Sequence, residues 1–308
     1  MEPYLALKHV TGSDRPVFFS ISEKKAIDRG TVDLTNNNCW ATPQGWILDR
    51  DASSSTTYLM DPHKSTNISR IPLPYLPEEN LSTYCTCLLS EYPDPAQPAS
   101  CFVLLVETDA PVIWYCRVDD KEWVRHEYDI GTLDLEDGCS EKIVISPITA
   151  CQGKFYFNAC CFKEVGVLEF CPAPVFSSIT IRDAITAPKG FRKVFMVESK
   201  QELYMVSLMS ACNPDVVYRF SVHKMDFINE EWHEVHDIGD RAFLLSSWYF
   251  GTSRSAIECG LERNCLYMAY PWNKCLMIFN VRDGTAKVQD LNEAPASDQA
   301  LWILPTHP

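Results

Sequence analysis

Short apolar runs, each about four to eight residues long and rich in aromatic and β-branched side chains, recur along this sequence between turn-forming residues. They include VFFSI (Val17–Ile21), CFVLLV (Cys101–Val106), VIWYCRV (Val112–Val118), KFYF (Lys154–Phe157) and VGVLEF (Val165–Phe170). Further on come KVFMV (Lys193–Val197), ELYMV (Glu202–Val206), VVYRFSV (Val216–Val222), CLYMAY (Cys265–Tyr270) and CLMIFNV (Cys275–Val281). Asp119-Asp120, Gln152-Gly153 and Asp283-Gly284 lie between such runs and suit hairpin turns. Long stretches at the 3.6-residue helical period are absent, and only PEENLSTYCTCLL (Pro77–Leu89) reads as a short helix. The pattern is that of an all-β chain.

The runs fall into groups that begin near Cys39, Tyr84, Val144, Arg192 and Arg241, roughly 45–60 residues apart. Each group ends in a polar strand: TNISRIPLP, KEWVRHEYD, EEWHEVHDI or TAKVQDL. Four strands per unit at that spacing is the repeat of propeller blades. VFFSISEKKAIDRG near the start and ALWIL near the end are left over, and together they supply one more blade. The expectation is a single β-propeller over residues 1–308, with six four-stranded blades closed by N- and C-terminal strands. Closure removes the exposed sheet edges.

Two of the polar strands resemble each other. KEWVRHEYDIG (Lys121–Gly131) and EEWHEVHDIG (Glu230–Gly239) share an acidic residue, a Trp and an Asp-Ile-Gly ending, while their histidines differ. His233, Glu234 and His236 suggest a zinc-protease motif, but that motif needs two histidines four apart on a helix. On a strand, His233 faces away from both Glu234 and His236. The repeat is therefore read as architectural, with Trp123 and Trp232 as packing residues of outer strands and no metal site.

Charge narrows the function. A formal net charge of −14 with a pI near 4.9 repels phosphate backbones, so nucleic acid is excluded as a partner in favour of a protein or a neutral small molecule. The start, MEPYLALKHVTGSDRP, lacks the basic and apolar regions of a secretory signal, and no apolar run approaches the ~20 residues that span a bilayer. A monomeric protein of the cytoplasm and/or nucleus, without membrane contact, is expected. The chain has 14 cysteines, many inside apolar runs (Cys101, Cys116, Cys265, Cys275), where a reduced thiol acts as a small hydrophobe. No C-x-x-C pair occurs, so neither structural zinc nor disulfides are expected.

Catalytic motifs are missing. GTSRS (Gly251–Ser255) falls one glycine short of a nucleophile elbow, and no phosphate-binding glycine loop occurs, so no catalytic residue and no cofactor is assigned. The stretch most suited to binding is SSWYFGTSRSAIECGLER (Ser246–Arg263), which is long for a loop inside a blade. Trp248, Tyr249 and Phe250 cannot all face inward on an extended backbone, so one of them is expected on a rim as an anchor beside Arg254. SEYPDPAQPAS (Ser90–Ser100) is the next candidate.

Several segments in order resemble a known family: CWATPQGWIL with YLMDPHKSTNISRIPLP, VFMVESKQELYMVSL, VHKMDFINEEWHEVHDIGDRAFLL, GLERNCLYM and CLMIFNVRDGTAKVQDL. They resemble the plant "domain of unknown function 295" family of F-box-associated β-propellers, from about Pro16 to Pro305. The Trp-Asp and Gly-Gly doublets of the WD40 and kelch types are lacking. Members of that family commonly carry an N-terminal F-box that docks on the Skp1 adaptor of a ubiquitin ligase. Here the first 16 residues cannot form its three helices, so Skp1 docking is not expected. The resemblance implies a non-enzymatic protein-interaction propeller, the substrate-recognition half of such a receptor. The alternative is a sugar-like small-molecule binder or glycan-active enzyme using the central channel, which inward-facing carboxylates around that channel would favour.

Overall fold

Two-residue turns with both residues in the left-handed region shape the tightest hairpins. Gln152 and Gly153 have φ of 51° and 76°, and Lys200 and Gln201 have φ of 53° and 64°. Such turns twist in the same sense as the strands that they join. The computed structural model describes residues 2–8, 16–27, 38–51, 53–63, 70–76, 81, 85–93, 100–134, 139–158, 162–182, 185, 191–210, 217–246, 250–291, 297 and 299–306. Every regular element among them is a β-strand.

The chain begins with β1 (Tyr4–Lys8), β2 (Val17–Ser20) and β3 (Lys25–Ile27). The next blade holds β4 (Asn38–Ala41), β5 (Ile47–Asp51), β6 (Thr56–Met60) and β7 (Arg70–Leu73). Then come β8 (Thr86–Leu89), β9 (Phe102–Val106), β10 (Val112–Arg117) and β11 (Val124–Glu127), followed by a small hairpin of β12 (Thr132–Asp134) and β13 (Ser140–Lys142). The fourth blade is β14 (Ile148–Cys151), β15 (Lys154–Phe157), β16 (Glu164–Phe170) and β17 (Pro174–Thr180). The fifth is β18 (Phe191–Ser199), β19 (Glu202–Ser210), β20 (Val217–Asp226) and β21 (Glu231–Glu234). The sixth has five strands: β22 (Arg241–Ser246), β23 (Phe250–Ser255), β24 (Cys265–Tyr270), β25 (Cys275–Asn280) and β26 (Ala286–Asp290). Finally β27 (Gln299–Ile303) pairs antiparallel with β1, so the last strand of the chain becomes the innermost strand of the first blade.

The result is a six-bladed β-propeller. Around the axis β27, β4, β8, β14, β18 and β23 neighbour one another in turn, and β22, the partner of β23, returns to β27. The closure is strongly apolar: Leu5, Trp302, Ile303 and Leu304 are all at most 1% exposed. Trp302 also donates its indole N–H to Leu245 O at 2.9 Å, tying the closing strand to β22 of the sixth blade.

The outer-strand tryptophans do what the repeat implied. Trp123, 7% exposed, donates its indole N–H to Pro74 O of the preceding blade at 2.8 Å. Trp232 packs among Tyr156, Val165 and Val167, again of the preceding blade. Each covers the joint between two blades, which is why the residue recurs while the histidines beside it do not.

Two expectations need correction. Thr86–Leu89, the described end of the segment read as a short helix, is strand β8 with all four residues buried; of the rest, 77–80 and 82–84 lie outside the described residues. Four small or aliphatic side chains suit an innermost strand covered by blades on both sides, and that packing overrides local propensity. The four-strand rule also fails once. Ser246–Arg263 is not one long loop, because Phe250–Ser255 within it forms β23, which pairs with β22 nearer the axis. The extra strand leaves β22 parallel to β24, an arrangement that the hairpin pattern did not signal.

Candidate functional site: the mouth of the central channel

The innermost strands end at one face of the ring around a cavity of about 240 Å³. Every contributor follows from the topology. Pro43 and Gln44 come from the β4–β5 turn, Ser90, Glu91 and Tyr92 from the end of β8, and Thr149 with the Gln152–Gly153 turn from β14. Glu198 and Gln201 stand at the end of β18, while Gly251, Thr252 and Arg254 lie along β23. β23 can come this close because Gly251 has no side chain: a Cβ there would meet Val197 Cγ2 at 2.9 Å and Met196 O at 3.0 Å.

Polar side chains stitch blades together around this mouth. Gln44 Nε2 donates to Leu89 O at 3.0 Å, and Gln152 Nε2 donates to Gln201 O at 2.7 Å. The hydroxyls of Ser199 and Ser253 are 2.8 Å apart, and Thr252 Oγ1 donates to Pro43 O at 2.7 Å. Buried polar groups satisfied across blade joints hold a cavity in one shape, because each bond that is broken leaves a costly orphan.

Arg254 is the centre of the network. Its Nη1 donates to Thr252 Oγ1 and to Ser253 O, both at 2.8 Å. Its Nη2 donates to Pro43 O at 2.9 Å and to Pro305 O at 3.2 Å, so one guanidinium joins three blades. Burial lowers its pKa from the ordinary arginine value, opposed by the nearby Tyr92 hydroxyl and Glu198. Arg241, also buried, donates its Nε–H to Ser253 Oγ at 2.8 Å. Burial pushes the Glu198 carboxyl up, while the Gln201 backbone N–H at 2.6 Å and the two guanidiniums pull it down.

The sequence-predicted site residues fare unequally. Arg254 is 2% exposed and lines the channel mouth rather than a rim loop. Phe250 is buried among Leu244, Tyr267 and Trp302 of the core, so it is not the exposed ring. Trp248 and Tyr249 lie outside the described residues. Of Ser90–Ser100, the first three residues reach the cavity and 94–99 lie outside the described residues. Gln44, Thr149 and Glu198 were missed, and only the alternation of small and hydroxylic residues in FGTSRS hinted that an inner strand was present.

Elsewhere, His233 Nε2 lies 3.1 Å from Glu231 Oε1 and 3.6 Å from Asp226 Oδ2 on the β20–β21 hairpin. These three could hold an ion by distance alone. The Asp226 oxygens, however, already accept bonds from the Ile228 and Asn229 backbone N–H groups and from Asn229 Nδ2. Those bonds hold its carboxyl down at about 2 and close the turn.

Among the described residues no helix is long and apolar enough to cross a membrane. The sequence profile of the KIB1-4 β-propeller family matches residues 18–292. The chain belongs to that family. A probable F-box protein of Arabidopsis thaliana is 24% identical over 310 aligned residues, covering 87% of this chain and 72% of its own. Among solved structures, a protein of unknown function from Desulfotomaculum acetoxidans superposes with a TM-score of 0.42 at 11% identity, over 99% of this chain and 100% of its own. A structural genomics protein from Bacteroides thetaiotaomicron gives a TM-score of 0.41 at 10% identity, over 93% of this chain and 70% of its own.

Proposed function

We propose that this KIB1-4 propeller is a non-enzymatic protein-recognition module of the F-box-associated kind typified by the "domain of unknown function 295" propellers, and that it captures a protein at the face carrying the channel mouth. The supporting observation is the pairing of a family match over residues 18–292 with an F-box relative aligned across most of the chain. The chemistry of the mouth agrees. Its most deeply buried charge is a guanidinium, with Glu198 only half buried and Glu91 exposed, which is a lining suited to docking polar groups. The backbone around it is tied down before any partner arrives, so little ordering is needed on binding.

The test is affinity capture from plant extract with the immobilised chain and two variants. Tyr92→Ala removes an exposed ring at the mouth. Trp272→Ala removes an exposed ring at the opposite face, since β24 runs from Cys265, level with Ala242 and Arg254, away to the turn that carries Trp272. Proteins retained by the parent chain and by Trp272→Ala but lost with Tyr92→Ala support the reading. Nothing retained above control, or retention unaffected by Tyr92→Ala, overturns it.

A further inference from the structure

Arg254 is not fully accounted for by its role in the ring. Its four bonds all go to uncharged oxygens, and its Nε has no partner among the described residues. A cation removed from water is normally matched by an anion, because its desolvation is otherwise uncompensated. Arg241 adds a second buried guanidinium, held through its Nε by the Ser253 hydroxyl. Against these two positive charges the lining of the cavity sets the half-buried carboxyl of Glu198 and, exposed at the rim, that of Glu91. With Glu198 ionised and Glu91 left in water, one positive charge remains unmatched among the buried groups at the base of the cavity.

We propose that the channel mouth is a pocket for a carboxylate presented by a protein partner, with the Arg254 guanidinium as its counter-charge and the hydroxyls of Tyr92 and Thr149 as further donors. This rests on the protein-recognition reading and gives that partner a chemistry. A monoanion suits the site: it balances the unmatched charge, whereas a phosphate dianion would exceed it and face Glu198 with excess negative charge. The volume of about 240 Å³ takes a short acidic side chain or a chain end, not a folded segment.

The test uses four peptides of defined chemistry, titrated by calorimetry and saturation-transfer NMR at low ionic strength. They are acetyl-Gly-Glu-Gly amide, its Gln counterpart, acetyl-Gly-Gly-Gly with a free carboxyl, and the amide of that peptide. At least one carboxylate binds about fivefold or more tightly than its neutral counterpart, the effect of one modest charge pair. The pair with the larger ratio shows whether a side chain or a chain end is the source. Glu198→Gln keeps an acceptor for the Gln201 N–H and removes the like charge, so carboxylate affinity rises by a similar factor. Arg254→Gln abolishes the discrimination; should that variant fail to fold, Glu198→Gln still carries the test. Equal affinities within both pairs, unchanged by Glu198→Gln, overturn the inference. So does inorganic phosphate that displaces the peptides at lower concentration than acetate does. In either case partner capture that depends on Tyr92 leaves the recognition reading standing.

Discussion

Trp302→Ala examines the closure of the ring directly. The indole is 1% exposed and bonds Leu245 O at 2.9 Å, so it belongs to the first blade in sequence pairing and to the sixth in contact. Truncating a fully buried aromatic to Ala costs about 3–5 kcal/mol through lost transfer energy and the cavity left behind. The orphaned Leu245 carbonyl adds about 1 kcal/mol. Set against a total stability of about 5–15 kcal/mol, this is a large fraction. At about 2–3 °C per kcal/mol for a chain of this size, the melting temperature falls by roughly 8–18 °C. Trp302→Phe keeps most of the apolar contact and loses the bond, so it sits between the two. Trp272→Ala, at 68% exposure, stays within about 0.5 kcal/mol of the parent. Circular dichroism at a fixed scan rate reads all three without depending on tryptophan emission. A Trp302→Ala melt within about 2 °C of the parent would refute the view that β27 is the strand that closes the ring.

Two further predictions concern the turn against the closing strand and the thiols. Gly45 has φ of +91°, and a Cβ there would lie 2.5 Å from Pro305 O, whereas Gly153 at φ +76° has nothing within 4 Å of its would-be Cβ. Gly45→Ala therefore costs more than the about 1–2 kcal/mol of left-handed strain expected for Gly153→Ala, and equal losses by urea unfolding would contradict the clash. Burial pushes the Cys101 and Cys151 thiols up to about 12 and Cys265 up to about 11. In the native protein at pH 8, iodoacetamide should modify the exposed Cys139 and Cys171 and spare those three, as read by peptide mass mapping. The raised values also fix a sign: this contribution to stability is fully present below about pH 9 and is lost as pH rises from there toward 12.

Much of the architecture is legible in the sequence because blade strands obey local rules. KFYF is β15 to the residue, and the polar runs with Trp123 and Trp232 are outer strands whose indoles seal blade joints. That the two ends of the chain share one blade follows from the leftover runs VFFSISEKKAIDRG and ALWIL, but Tyr4–Lys8, the strand that actually pairs with β27, was not among them. What the sequence by itself could not decide is where the chain passes nearest the axis. Strand β23 reads as a loop because its small and hydroxylic residues are chosen by contact with β18 and β4's turn, not by strand propensity. Arg254 reads as a surface charge for the same reason: nothing local shows that backbone carbonyls from Pro43 and Pro305, far away in the chain, converge on its guanidinium. Local patterning determined the blades, since a strand's alternation and its turns are written within a few residues. The channel mouth was decided by tertiary structure alone, because its chemistry is assembled from a few residues of each of five blades that meet only when the ring closes.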